Sequence, residues 1–230
     1  MIDGPSTSEV PVIAIDGPGG AGKGTVARAV ADHLGWHFLD SGALYRLLAL
    51  NALEKNSDLD DEAALAAQVR VLDVKFGTGS ATERVLLGGR DVTEAIRSEA
   101  CGKAASRVAA MPAVRAALAD RQRTFRKSPG LVADGRDMGS VIFTDAALKI
   151  FLTASVEERA RRRHKQLKDK GIDVSLPALS KDMADRDRRD VERSVAPLRA
   201  CADARMLDTT SMCIEDVVSM VLDWVDEVWG

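Results

Sequence analysis

The run "PVIAI" (11–15) is short, β-branched and apolar, and it stops at Asp16 and Gly17. That is the pattern of a strand buried on both faces of a parallel sheet. Beyond the glycines that follow, Val26, Ala27, Val30, Ala31 and Leu34 recur at helical spacing. Gly35 stands where a C-terminal helix cap belongs. "WHFLD" (36–40) predicts a second strand, and Asp40, Ser41 and Gly42 lead into an amphipathic helix with Leu44, Leu47 and Leu48 on one face. Strand, glycine turn, helix, strand, helix is the rhythm of an α/β fold with a parallel sheet flanked by helices.

The middle of the chain departs from that rhythm. In "VLDVKF", Leu72, Val74 and Phe76 alternate with Asp73 and Lys75; "GTGSAT" turns the chain and "ERVLLGG" returns it. The pattern predicts an antiparallel hairpin inserted at the edge of the main sheet. Alanine-rich helices follow over 100–110 and after Pro112, and "LVADGRD" (131–137), "LKIFLTA" (148–154) and "ARMLDTT" (204–210) predict three more strands. Val217, Val218, Val221, Leu222 and Val225 mark a closing amphipathic helix.

At 230 residues the chain is long enough for one or two domains with a substantial core. A formal charge of −3 gives no global attraction to nucleic acid, so any polyanion site must be a local cluster of cations. Cys101, Cys201 and Cys213 share no metal-like spacing, and three free thiols in a reducing cytoplasm is the expectation. His33, His37 and His164 form no ligand pattern either. Residues 1–10 lack the basic start and apolar run of a signal peptide and predict a short disordered leader before a domain over 11–230. No stretch approaches the ~20 apolar residues that span a bilayer. A cytoplasmic protein with no membrane or nucleic-acid partner is expected.

"GPGGAGKGT" (17–25) has the G-x-x-x-x-G-K spacing of a phosphate-binding loop, after a strand and opening a helix. Here Gly17, Pro18, Gly19, Gly20, Ala21, Gly22, Lys23, Gly24 and Thr25 would surround the phosphates of ATP. Glycines let successive N–H groups turn inward around an anion, the helix N-terminus adds partial positive charge, and Lys23 adds a full one. Lys23 has no acid close by in the sequence, as suits a lysine reserved for phosphate. Gly24 occupies a position where many such loops carry Ser or Thr, with Thr25 one step later, so a direct Mg²⁺-ligand hydroxyl is not assured. The "GKGT" ending resembles nucleoside monophosphate kinases rather than GTPases, and no N-K-x-D guanine-reading motif follows.

A kinase with two polyanionic substrates needs a second set of cations. "LDSGALYR" (39–46) puts Ser41 at a helix start with Arg46 a turn inside, a suitable cradle for an acceptor phosphate. "DGRDMG" (134–139) ends a strand at the carboxyl edge where open α/β sheets hold ligands; Asp134 could hold Mg²⁺ through water, with Arg136 and Asp137 projecting into the cleft. In "DRDRRDVER" (185–193), Arg186, Asp190 and Arg193 fall on one helix face. A solvated salt-bridge stripe accounts for that pattern as well as a binding face does.

"GPGGAGKGT", "LDSGALYR", "VADGRDMG" and "DRDRRDVERSVAPL" occur in the order and spacing of bacterial cytidylate kinases, a resemblance that runs from about residue 11 to the C-terminus. It implies a phosphate-loop kinase core with a small antiparallel CMP-binding insertion over 71–110 and a helical lid over 155–172. It also implies phosphorylation of CMP and dCMP by ATP with Mg²⁺, by a protein of a commonly monomeric family. Carried onto matching positions, Ser41, Arg46, Arg136 and Arg193 resemble the ligands of the CMP phosphate. Arg186 and Asp190 resemble the residues at the ribose, and Ser106, Arg115 and Asp137 the readers of cytosine. A carboxylate acceptor suits the exocyclic amino group that distinguishes cytosine from uracil.

"SVEERARRRHKQLKDK" (155–170) opens with Ser155 and Glu158 at capping-box spacing. Its cations, with few acids between them, should repel one another until an anion arrives. Such a helix resembles the closing lid of nucleotide kinases, and Arg159, Arg162 and Arg163 are the candidates to reach phosphate. The implied mechanism is in-line transfer, with Lys23 and the lid arginines bearing the developing charge. Two rivals stay open: a phosphate-loop kinase for UMP or a non-nucleotide metabolite, and a nucleotide-binding switch or nucleic-acid-binding ATPase, supported only by the basic helix.

Overall fold

A computed structural model describes residues 10–76 and 84–230. Residues 1–9 of the expected leader and the whole of the expected "GTGSAT" turn lie outside the described residues. The chain divides into two compact units, the first comprising the chain up to Asp40 with Arg123–Gly230, the second Ser41–Gln122.

The first unit is built on five parallel strands: β1 (Val12–Asp16), β2 (His37–Asp40), β6 (Leu131–Gly135), β7 (Leu148–Thr153) and β8 (Arg205–Asp208). Their order is β2-β6-β1-β7-β8, with β1 central. The register pairs Ile13 with Val132 and Leu148, and Asp16 with Gly135 and Phe151. Helices α1 (Lys23–Leu34) and α8 (Ile214–Trp229) present Val26, Val30, Val217, Val221 and Val225 to Ile13, Ile15 and Ile150 of the sheet. Each such side chain removed from water contributes about 1.5–3 kcal/mol. As expected, Gly35 caps α1 in the left-handed conformation, φ 64°.

Helices α6 (Val156–Asp169) and α7 (Leu176–Glu192) pack on each other through Ala160, Leu167 and Leu179. Ser155 caps α6 by accepting the Glu158 N–H at 3.2 Å. The reciprocal half of the expected capping box is absent: the Ser155 N–H donates to Thr210 Oγ1, and the Glu158 carboxylate is taken by Arg161 and Arg162. The spacing predicts one helix face for Arg186, Asp190 and Arg193, but α7 ends at Glu192 and Arg193 is extended, with Nε donating to the Ala196 carbonyl.

The second unit holds α2 (Ser41–Glu54), α3 (Glu62–Val71), α4 (Glu99–Val108), α5 (Pro112–Arg123, whose last residue belongs to the first unit) and three short strands. These are β3 (Val74–Phe76), β4 (Val85–Leu87) and β5 (Arg90–Asp91). The hairpin is antiparallel, as expected, but it forms a separate small sheet with a third strand, β3-β4-β5, instead of sitting at the edge of the main sheet. Helix α3 carries no glycine or proline signal and follows a polar stretch capped by Asp61, whose carboxylate accepts the Ala64 N–H. Cys101, Cys201 and Cys213 are free thiols, and no described helix is long and apolar enough to cross a membrane.

Candidate active site

At the end of β1 the chain must turn without a side chain. A Cβ on Gly17 would lie 1.9 Å from the Leu152 carbonyl oxygen of β7, and its φ of 147° suits only glycine. Gly22 (φ 92°) makes the left-handed step into α1, whose first residue is Lys23. The loop from Gly17 to Gly22 and the first turn Lys23, Gly24, Thr25 thus stand at the carboxyl end of the central strand, where ligands of open α/β sheets bind.

Lys23 is 4% exposed, and its Nζ donates to the Pro18 carbonyl at 3.0 Å. The expectation of a lysine without an acid is corrected in space: Asp134, on β6, sits 3.6 Å from Nζ. Burial and then the Arg136 cation push Lys23 down to about 8, against the pull of Asp134 and Asp16. Burial likewise raises Asp134 to about 6, with Asp40 adding to it and Lys23 opposing. A Cβ on Gly24 would stand 3.1 Å from Asp134 Oδ2, so a serine or threonine there would crowd this carboxylate.

Just past β6, Arg136 Nε donates to Asp190 Oδ2 of α7 at 3.0 Å. Burial alone would raise the Asp190 carboxyl, but Arg136 and Arg186 hold it below the usual range. A Cβ on Gly19 would lie 3.2 Å from Arg136 and 3.7 Å from Arg186, so both guanidiniums border the glycine loop. Asp137 is 3% exposed and precedes a π-helical turn, Met138–Ile142.

The basic helix α6 is not a field of unmatched cations. Arg159 is 3% exposed; it donates to Ala154 O, to Gly19 O of the glycine loop and, at 2.5 Å, to Asp187 of α7. Arg162 donates to Glu158 and to the Thr209 carbonyl. Arg163 is half-buried on the same helix. The first unit thus brings together Lys23, Asp134, Arg136, Arg159, Arg162, Arg186 and Asp190.

In the second unit, Ser41 is the buried first residue of α2. Arg46 donates to the Ile96 carbonyl at 2.7 Å and faces Gly102 of α4, where a Cβ would come within 3.3 Å. Ser106, a turn further along α4, has a buried Oγ with no partner among the described residues. Arg115 of α5 donates to Ala109 O and lies 5.9 Å over the Tyr45 ring.

Three residues had no functional reading in the sequence. Asp16 reads only as a strand end, yet its oxygens accept the N–H groups of Met138 and Gly139, both at 2.8 Å. Asp187 is lost among the charges of 185–193, although it holds Arg159. Thr209 has no motif; its Oγ1 lies 3.1 Å from Thr153 O and 3.3 Å from Ala21 O, and it accepts from Arg162.

Parallel sheet, glycine loop with a buried lysine, and arginines bordering that loop define a phosphate-loop kinase core. Residues 13–227 match the family described as "Cytidylate kinase". The chain is 56% identical over 216 residues to "Cytidylate kinase" of Methylococcus capsulatus, covering 94% of this chain and 97% of that one. It is 58% identical over 215 residues to that of Pseudomonas aeruginosa, covering 93% and 94%, and 54% identical over 220 residues to that of Aeromonas salmonicida, covering 96% of each. The chain belongs to the cytidylate kinase family and is a nucleoside monophosphate kinase.

Proposed function

We propose that this enzyme transfers the γ-phosphoryl group of ATP to CMP and dCMP, giving ADP and the corresponding diphosphate. The observation that carries the reading is the buried Lys23 at the mouth of the glycine loop, with Arg136 and Arg186 bordering the same loop at Gly19. A cytoplasmic monomer is part of this reading, and family membership supports CMP as acceptor.

Residues 17–25 cradle the ATP phosphates through backbone N–H groups, the α1 N-terminus and Lys23. Ser41, Arg46, Arg136 and Arg193 are assigned to the CMP phosphate, Arg186 and Asp190 to the ribose, and Ser106, Arg115 and Asp137 to cytosine. The unpartnered Ser106 hydroxyl is consistent with a hydrogen bond that a ligand completes. Arg159, Arg162 and Arg163 of the 155–172 lid answer the charge of the triphosphate. For Arg159 and Arg162, the Gly19 carbonyl and the carboxylates of Asp187 and Glu158 are acceptors that phosphate oxygens can replace.

Among the described residues no group of three or more His, Cys, Asp or Glu is placed to hold a metal by itself. Mg²⁺ commonly takes one or two carboxylates, several waters and substrate phosphates, and Asp134 beside the loop fits that demand, with Thr25 as a further contact. When bound, the ion neutralises phosphate charge. The protein's own work is to align acceptor and donor phosphates, to hold cations on the transferring group, and to exclude water as a competing acceptor. No general base is needed, because the attacking phosphate oxygen is already anionic.

A coupled assay of ADP release with CMP, dCMP, UMP, AMP and shikimate tests the reading. CMP and dCMP should be preferred; turnover that favours shikimate or UMP would overturn it.

A further inference from the structure

Asp16 lies outside every motif that points to substrate, yet it is 5% exposed and spends both carboxylate oxygens on one backbone segment. Oδ1 accepts the N–H of Met138 and Oδ2 that of Gly139, each at 2.8 Å. These are the first two N–H groups of the π-helical turn Met138–Ile142. At its start a helical turn has no internal acceptors for its own N–H groups, and π-turns are rare without outside support. The turn closes instead through Asp137 O, which accepts from Val141 and Ile142, and through Met138 O, which accepts from Phe143. Asp16 therefore caps, from the neighbouring strand, the segment that carries Arg136 and Asp137 away from β6.

A carboxylate is an expensive choice for that place. Burial pushes Asp16 up to about 6, with the Gly139 and Met138 N–H groups opposing and the Asp137 charge adding to the rise. If only packing were required, a neutral side chain would cost less. An asparagine has a single acceptor oxygen and would aim an amide donor at the second N–H. Two convergent donors call for two acceptors.

We propose that Asp16 is a positioning residue for the acceptor half of the reaction, its carboxylate clamping Met138 and Gly139 so that Arg136 and Asp137 are held where CMP binds. Asp16 is paired in register with Gly135 and is followed directly by Gly17. One carboxylate thus ties the strand that bears the donor loop to the turn that bears the acceptor ligands. The inference rests on the assignment of Arg136 and Asp137 to CMP.

Steady-state kinetics of full-length Asp16→Asn test it, with wild-type activity on CMP as the separate check of that assignment. The variant should raise KM for CMP by about tenfold or more while KM for ATP stays within about twofold, and should narrow the CMP-over-UMP preference. A variant that melts earlier but keeps the wild-type KM for CMP and the wild-type preference would make Asp16 a structural cap only and overturn the proposal. A parallel rise in both KM values would overturn it equally. If wild type itself ignores CMP, the substrate assignment fails instead. Should Asp16→Asn not fold, Asp16→Glu decides, since it keeps two acceptor oxygens but displaces them by one methylene. Its KM for CMP should rise more than its KM for ATP, and wild-type KM values would contradict the clamp.

Discussion

Lys23 Nζ lies 3.6 Å from Asp134 Oδ1, and both groups are withdrawn from water, with side-chain exposures of 5% and 13%. Burial lowers the lysine to about 8 and raises the carboxyl to about 6, so each is poised to change protonation near neutrality. Polyphosphate beside Nζ favours the charged lysine and raises it again. ATP binding should therefore take up protons between pH 8 and 9, where ATP itself is fully ionised. Calorimetry in buffers of different ionisation enthalpy should read uptake that rises from about half a proton per ATP at pH 8 toward one at pH 9, and Lys23→Arg should read none. No uptake by wild type in that window would mean Lys23 is already charged in the free enzyme.

Lys23→Ala and Arg136→Ala should each lower turnover by about a thousand-fold, because both remove charge set against phosphate. Circular dichroism and a melt should show both variants folded. Near-normal CMP phosphorylation by either would remove that residue from the site.

Asp187 pairs with Arg159 while the same guanidinium reaches Gly19 O and Ala154 O. Asp187→Ala leaves a buried cation short of its counter-charge and should cost about 3 kcal/mol in urea unfolding. The same variant should lower KM for ATP, because it removes the acceptor that phosphate oxygens must replace on Arg159. Wild-type stability would show that the pair carries no net energy.

Asp137 is 3% exposed beside Arg136 and is assigned to the cytosine amino group. Asp137→Asn offers a donor as readily as an acceptor, so the CMP-over-UMP ratio of kcat/KM should fall by about ten- to a hundredfold. An unchanged ratio would place base selection on other side chains.

Much of this architecture was legible because it rests on local rules. Period-two and apolar runs marked all five strands of the main sheet, and Gly35 marked the end of α1. The glycine loop announced itself because Gly17 and Gly22 meet conformational demands no other residue meets. What stayed hidden depends on long-range contact. Asp134 reaches Lys23 across more than a hundred positions of sequence, and the same carboxylate crowds any side chain at position 24. The hairpin's alternation reported one covered face but not which sheet it joins. Asp16, Asp187 and Thr209 are ordinary residues in sequence, and their partners lie on other strands and helices. The charge pattern of 156–170 suggested repulsion because the acceptors of Arg159 and Arg162, at Asp187, Gly19 and Thr209, lie outside that helix.

The central claim is direct transfer from ATP to CMP at the Lys23 loop, and γ-labelled ATP tests it most directly. With CMP and Mg²⁺ present, the wild-type enzyme should move the label into the β-phosphate of CDP, and Lys23→Ala should leave it on ATP. Label released as inorganic phosphate, retained on the protein, or moved equally well by Lys23→Ala would contradict the account.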